Sequence, residues 1–209
     1  MTTLKTNTLI YTEKIKLYRS NKIILNDISL DIKKGLTLIR GENGAGKSTL
    51  LNILGNIYKP SYGKIYYTHQ MYKKYSSFMF QEPIFLDRTV KNNLRHALEC
   101  HKILNINYEI LIEEYLDRFC VSHLINSYPK NLSTGEKKII SYIRTIIVNP
   151  SIIFLDEPCA HLDINYQKVI SENINELSEK IPTIIVSHNN ELDLYNYSKI
   201  YEIHKGIVS

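Results

Sequence analysis

With 209 residues, 44 % of them hydrophobic and 22 % charged, the chain has the balance of one globular domain with a substantial core, and it is too short for two ordinary ones. The net charge of +5 could favour nucleic acid, anionic lipid or nucleotide phosphate, but it is not gathered in one run and reads first as a solvated surface. No apolar run approaches the ~18 residues of a membrane helix; the greasiest stretch, 139–155, is broken by Arg144 and by Asn149-Pro150. The start, Met1-Thr2-Thr3-Leu4-Lys5, lacks the features of a signal peptide. The expectation is a soluble protein that does any work at a membrane through partners. Cys100, Cys120 and Cys159, an odd number without metal-type pairing, suggest reduced thiols in a reducing compartment.

In chain order, Leu36-Thr37-Leu38-Ile39 is a short apolar run that ends in a Gly-rich turn. A helix is expected to open near Lys47. From Pro83 to about Leu132 the pattern is helical, with Val90, Leu94, Ala97 and Leu98 on one face and Tyr108, Leu111, Ile112, Tyr115, Leu116 and Phe119 repeating the spacing. This predicts a helical subdomain inserted into a sheet domain. Another helix begins after Leu132. The runs Ser151–Leu155 and Thr183–Val186 read, like 36–39, as strands buried on both faces, each followed by polar residues. Strands alternating with helices predict an α/β fold, whose ligands bind at the C-terminal strand ends.

Gly41-Glu42-Asn43-Gly44-Ala45-Gly46-Lys47-Ser48-Thr49 satisfies G-x-x-x-x-G-K-[ST] between a predicted strand and a predicted helix. Its glycines let several backbone N–H groups face one phosphate chain, and the helix start adds its positive dipole end. Lys47 supplies charge to the β- and γ-phosphates, and the Ser48 hydroxyl can ligate Mg²⁺. The pattern alone does not choose among kinases, GTPases and ATPases. At the tip of the 151–155 run, Asp156 is placed to hold Mg²⁺ through water, and Glu157 to accept a proton from an attacking water. An isolated Asp-Glu pair would be an ordinary polar strand end; beside a phosphate loop it is more. In Leu132-Ser133-Thr134-Gly135-Glu136, a capping box fully explains Ser133 and Glu136 but leaves Gly135 unexplained.

Taken together and in this order, the motifs resemble those of an ABC ATPase over essentially the whole chain. Residues 41–49 are similar to its Walker A, 152–157 to its Walker B with the catalytic glutamate, and Leu132–Glu136 to its LSGGQ signature. Gln81 matches the Q-loop glutamine that senses γ-phosphate and Mg²⁺, Ala160-His161-Leu162-Asp163 the D-loop, and His188 the switch histidine. Tyr18, one of 16 tyrosines, sits where the family places an aromatic on adenine, although a core role would also suit it. Arg144 reads as structural and Cys159 as a small packing residue. Thr134 and Glu136 depart from the family's Gly and Gln, which implies a working but slower site.

The resemblance implies a P-loop core, mainly parallel sheet plus an antiparallel β region, spanning 1–82 and 134–209, with 83–133 as the helical subdomain. It implies ATP and Mg²⁺ as cofactors, and hydrolysis in a head-to-tail dimer in which Ser133, Thr134, Gly135 and Glu136 face the partner's nucleotide. It further implies transmembrane permease subunits docked on the 82–94 stretch, a place on the cytoplasmic face of the membrane, and import, with a solute-binding protein as a further partner. A soluble ABC ATPase acting on ribosomes or nucleic acid is the alternative; no direct nucleic-acid contact is expected. A small-substrate P-loop kinase would leave the signature and His188 unexplained.

Overall fold

The computed structural model describes residues 8–20, 22–103, 106–187 and 193–208. Strands β1 (Thr8–Arg19), β2 (Lys22–Ile28) and β3 (Asp31–Lys33) open the chain, followed by β4 (Leu36–Arg40) and α1 (Lys47–Leu54). Next come β5 (Tyr62–Tyr67), α2 (Gln70–Lys74), β6 (Ser76–Met79), α3 (Val90–Cys100), α4 (Tyr108–Arg118) and α5 (Thr134–Ile146). Strand β7 (Ile152–Asp156), α6 (Ile164–Ser178), β8 (Thr183–Ser187), β9 (Lys199–His204) and β10 (Ile207–Val208) complete it.

A six-stranded sheet in the order β10-β9-β4-β8-β7-β6 forms the centre. All its pairs are parallel except the closing β9–β10 hairpin. The three predicted apolar runs became its middle strands; β7 and β8 are buried throughout and β4 in four of its five residues. The pleat sends alternate residues to opposite faces. Leu38, Ile153, Leu155 and Ile185 join the core under α3 to α6, whereas Ile39, Ile152, Phe154, Ile184 and Val186 join the core with α1. Each such side chain contributes ~1.5–3 kcal/mol of burial, so slipping the register of one strand would be prohibitive.

The second core is roofed by an antiparallel sheet in which β1 pairs with β2, β3 and β5. This is the antiparallel region that the family likeness implied. Its β1 is irregular, with register shifts against each partner and Lys14 at φ 48.

The stretch 83–133 departs from a continuous helical reading. Helix begins only at Val90, capped by Thr89, and two short 3₁₀ turns (Ser122–Leu124 and Pro129–Asn131) follow α4. Asn93 explains the delay. Its side chain accepts from Leu86 N and donates to Leu86 O, Arg88 O and Thr89 O, satisfying a non-helical backbone from the helix side. Arg144 of α5 donates to Ile84 O at 2.7 Å and lies 4.7 Å over the Phe85 ring, so it ties this loop to the core. That is the structural role expected of it. Cys159 is fully buried, as a packing residue would be.

Candidate active site

Because β4, β6, β7 and β8 run parallel, their C-terminal ends share one edge. Residues 41–46, Gln81 and Glu157 leave the sheet there. His188, next in sequence after β8, lies outside the described residues.

The 41–49 loop wraps tightly. A Cβ on Gly41 would sit 2.1 Å from Ile203 O, and Gly46, at φ 102, would press on Leu25 Cδ2 at 2.9 Å. No side chain larger than hydrogen fits either place without moving backbone or core. Glu42, Asn43 and Gly44 are exposed, while Ala45 is anchored by accepting from Gly206 N. Lys47 Nζ folds back to donate to Gly41 O (2.8 Å) and Glu42 O (3.0 Å). Burial lowers its pKa, against the pull of Glu157 and Asp156.

Helix starts differ in a telling way. Helices α2 to α6 each have a side chain accepting from a first-turn N–H, whereas α1 has neither a capping side chain nor an acid in its first turn. Its N–H groups and dipole are thus directed at whatever fills the loop, which suits a phosphate.

Across this cradle, Ser48 Oγ donates to Asp156 Oδ1 at 3.0 Å, and Gln81 Nε2 donates to Glu157 Oε2 at 2.9 Å. Two hydrogen bonds therefore join residues from α1, the end of β6 and the end of β7. Burial pushes the Asp156 carboxyl up to about 6; the Ser48 bond opposes this, Glu157 adds to it, and Lys47 and Lys138 counter it. The donor set of hydroxyl, carboxylates and amide fits a hard cation such as Mg²⁺. Glu157 sits at φ 51, which is strained for a residue with a Cβ, and is fixed by its N–H donating to Val186 O at 2.9 Å.

Other predicted residues lie apart from this cluster. Ser133 caps α5, accepting from Glu136 N (3.2 Å), while its own N–H (2.7 Å) and hydroxyl (2.8 Å) donate to Glu136 Oε2. Thr134 is exposed. A methyl on Gly135 would meet only Leu162 Cδ2, at an ordinary 3.5 Å. Asp163 caps α6 by accepting from Tyr166 N. Tyr18 is 42 % exposed, edge-on to Tyr62 with centroids 6.0 Å apart. It lines an open cleft of about 460 Å³ with Lys14, Lys16, Asp27, Tyr62 and Gly63. None of 41–49 lines that cleft, although Tyr18 pairs with Ile23 just before the Ile24-Leu25 contact to Gly46.

Sequence reasoning missed Lys138. It is buried at 3 % exposure, and its Nζ donates to Ala160 O at 3.2 Å. The available signal was a lysine at the head of the apolar run Ile139-Ile140, on a turn that must pack.

An uncapped strand–loop–helix cradle, facing a Ser–Asp pair and a Gln–Glu pair at parallel strand ends, defines a P-loop nucleotide triphosphatase. Comparison with known proteins narrows the class. The family model described as "ABC transporter" matches residues 25–160. The chain is 36 % identical over 195 residues to the lipoprotein-releasing system ATP-binding protein LolD of Buchnera aphidicola, covering 82 % of this chain and 83 % of that one. It is 31 % identical over 194 residues to a probable sulfate/thiosulfate import ATP-binding protein CysA of Chlorella vulgaris, covering 88 % and 79 %. A solved ATP-binding subunit of an ABC transporter superposes with a TM-score of 0.85 at 22 % identity, over 96 % of this chain and 88 % of that one, a likeness of fold. The chain belongs to the ABC transporter family. It binds ATP with Mg²⁺ and hydrolyses it as the nucleotide-binding subunit of a transporter. Subunits of this kind work with transmembrane permease components. Among the described residues no helix is long and apolar enough to cross a membrane.

Proposed function

We propose that Lys47, Ser48, Gln81, Asp156 and Glu157 form one ATP-hydrolysing centre that drives import through separate permease subunits. The observation that carries the assignment is the pair of hydrogen bonds, Ser48–Asp156 and Gln81–Glu157, that gather chain-distant groups beside the uncapped α1. Bound MgATP supplies the phosphoanhydride bond whose hydrolysis to ADP and phosphate releases the driving energy. The 41–49 backbone and α1 N–H groups orient the phosphates, and Lys47 balances their charge. Ser48, Gln81 and Asp156, the last through water, hold Mg²⁺. Glu157 takes the proton of the attacking water, with its carboxylate oriented by Gln81. His188 is assigned to the γ-phosphate on the family pattern, and Tyr18, an exposed ring beside the β1–β2 hairpin, to stacking on adenine.

The signature completes the site in trans. Gly135 has no need within its own chain to be glycine, which supports close approach by a partner's phosphate. We therefore propose a two-fold, head-to-tail homodimer, with Asp163 of the D-loop at its seam. Residues 1–82 and 134–209 act as the catalytic core and 83–133 as the helical subdomain. A groove of about 280 Å³ includes Ile84, Phe85, Leu86, His96, Ala97 and Arg144, and Ile84 is 71 % exposed. It suits a permease segment, and we propose a place on the cytoplasmic face of the membrane. The likeness to CysA, an import ATP-binding protein, supports import, with a solute-binding protein as a further proposed partner; the likeness to LolD, of a lipoprotein-releasing system, favours release as the second reading.

Sedimentation of Glu157→Gln with Mg-ATP tests the centre: it should form a dimer that turns over poorly, and a strictly monomeric species would overturn the in-trans assignment. Co-purification from detergent-solubilised membranes tests the partners. A permease with a solute-binding protein would support import, and ribosomes would overturn the transport reading.

A further inference from the structure

The reading above leaves Lys138 unused, although it is buried within α5 only two residues beyond the signature. Ser141, Tyr142 and Thr145, which follow it on the same side of α5, are buried as well, and an uncharged side chain would fill that place without the cost of desolvating an ammonium. Its Nζ donates to Ala160 O at 3.2 Å. Ala160 belongs to the turn after β7, which opens with Glu157 and closes with His161. Both of those carry a Cβ and both are left-handed, at φ 51 and 64. Such conformations persist only where the surroundings over-determine them. The turn's own closures are long, Ala160 N to Glu157 O and Leu162 N to Cys159 O at 3.3 Å each. External ties are shorter at its ends: Glu157 N to Val186 O, and Gln167 Nε2 to Leu162 O, both 2.9 Å. Its middle is reached by Lys138, and by a longer contact from Cys159 Sγ to Gln167 O at 3.9 Å. The same ammonium favours the ionised form of Asp156.

We propose that Lys138 is a positioning residue that holds the 157–161 turn, and through it the Glu157 carboxylate, in the geometry that ATP hydrolysis requires. The proposal rests on Glu157 being the base. It joins the helix whose signature serves the partner's nucleotide to the turn that carries this chain's base, so a part-buried contact links the two sites of the proposed dimer.

Steady-state hydrolysis of Mg-ATP by the purified chain tests it with Lys138→Met and Lys138→Arg. In Lys138→Met, kcat should fall on the order of tenfold to a hundredfold while KM stays within about threefold, as expected for a misplaced reacting group. Lys138→Arg, which keeps the charge and the donor, should recover most of the loss. Amide exchange across 157–163 should rise in Lys138→Met, with β1 unchanged. A kcat in Lys138→Met within about twofold of the parent, or equal losses in the Met and Arg variants, would overturn the proposal. If Lys138→Met does not fold, Lys138→Ser, which is polar but too short to reach Ala160 O, is judged by the same kcat and exchange criteria. Full hydrolysis by Glu157→Gln would instead remove the base assignment itself, whatever Lys138 does.

Discussion

The phosphate loop at 41–49 and the signature turn at 132–136 are both helix starts, and they are built in opposite ways. The first is crowded and uncapped: Gly41 faces a carbonyl that a methyl could not displace, a methyl on Gly46, at φ 102, would press on the Leu25 side chain, and α1 has no side chain on its first N–H groups. The second is roomy and self-satisfied: Ser133 and Glu136 close a complete capping box, and Gly135 has space for a methyl. A ligand is thus written into the first by the chain's own packing. In the second, the fold alone would accept other sequences, so its composition answers to something beyond its own chain. The difference divides the site into a half that this molecule completes and a half that it offers.

The largest expected effect lies in the completed half. Glu157→Gln should lower kcat by ~10²–10⁴-fold while nucleotide binding is kept, because it removes a proton acceptor and leaves the Gln81 contact an oxygen. Lys47→Ala should weaken Mg-ATP binding itself, measurable by calorimetry. Were both variants to hydrolyse ATP at the parental rate, the cradle would not be the site.

A matched pair of glycine substitutions breaks the comparison more directly. Gly41→Ala must push Cβ into the Ile203 carbonyl, so thermal unfolding should show a loss of ~2 kcal/mol or more. Gly135→Ala should leave stability unchanged or raise it by up to ~1 kcal/mol, since alanine is the better helix former. Its hydrolysis should nevertheless fall, on the order of tenfold, if a partner's phosphate must approach that backbone. Two equally stable and equally active variants would erase the distinction between the two turns.

The same contrast governs what could be read from the sequence. The central strands were legible because burial on both faces forces short, continuous β-branched runs, and 41–49 was legible because the close approach at Gly41 and Gly46 tolerates no substitute. The antiparallel roof was known only through the family likeness. Its β1 breaks alternation with register shifts, and β5 buries no residue fully, so no period of two survives to be counted. The 83–89 loop was mistaken for helix because its backbone is satisfied by the Asn93 side chain, a contact that no spacing rule records. Lys138 escaped because a buried ammonium is explained by its partner, Ala160 O, twenty-two residues away.

The smallest effect concerns Glu136, where the family has glutamine. Its carboxylate accepts from both the N–H and the hydroxyl of Ser133. These bonds hold its pKa below the usual 4.5, the Ser133 N–H most, with His123 adding a little when charged. A depressed carboxylate stabilises the fold fully above 4.5, and that stabilisation is lost as pH falls through the lower folded value. Glu136→Gln keeps the capping geometry without a titrating group. The parent should therefore melt somewhat higher at neutral pH, and the two melting temperatures should converge on acidification, because only the parent loses this share of its stability. Hydrolysis should move the other way. The Ser133 hydroxyl must leave a charge-assisted bond to donate to a partner's phosphate, and the neighbouring carboxylate repels that phosphate. Replacing the acid should therefore raise kcat/KM for Mg-ATP by roughly two- to fivefold. An unchanged or lowered value would mean that Glu136 serves the cap alone.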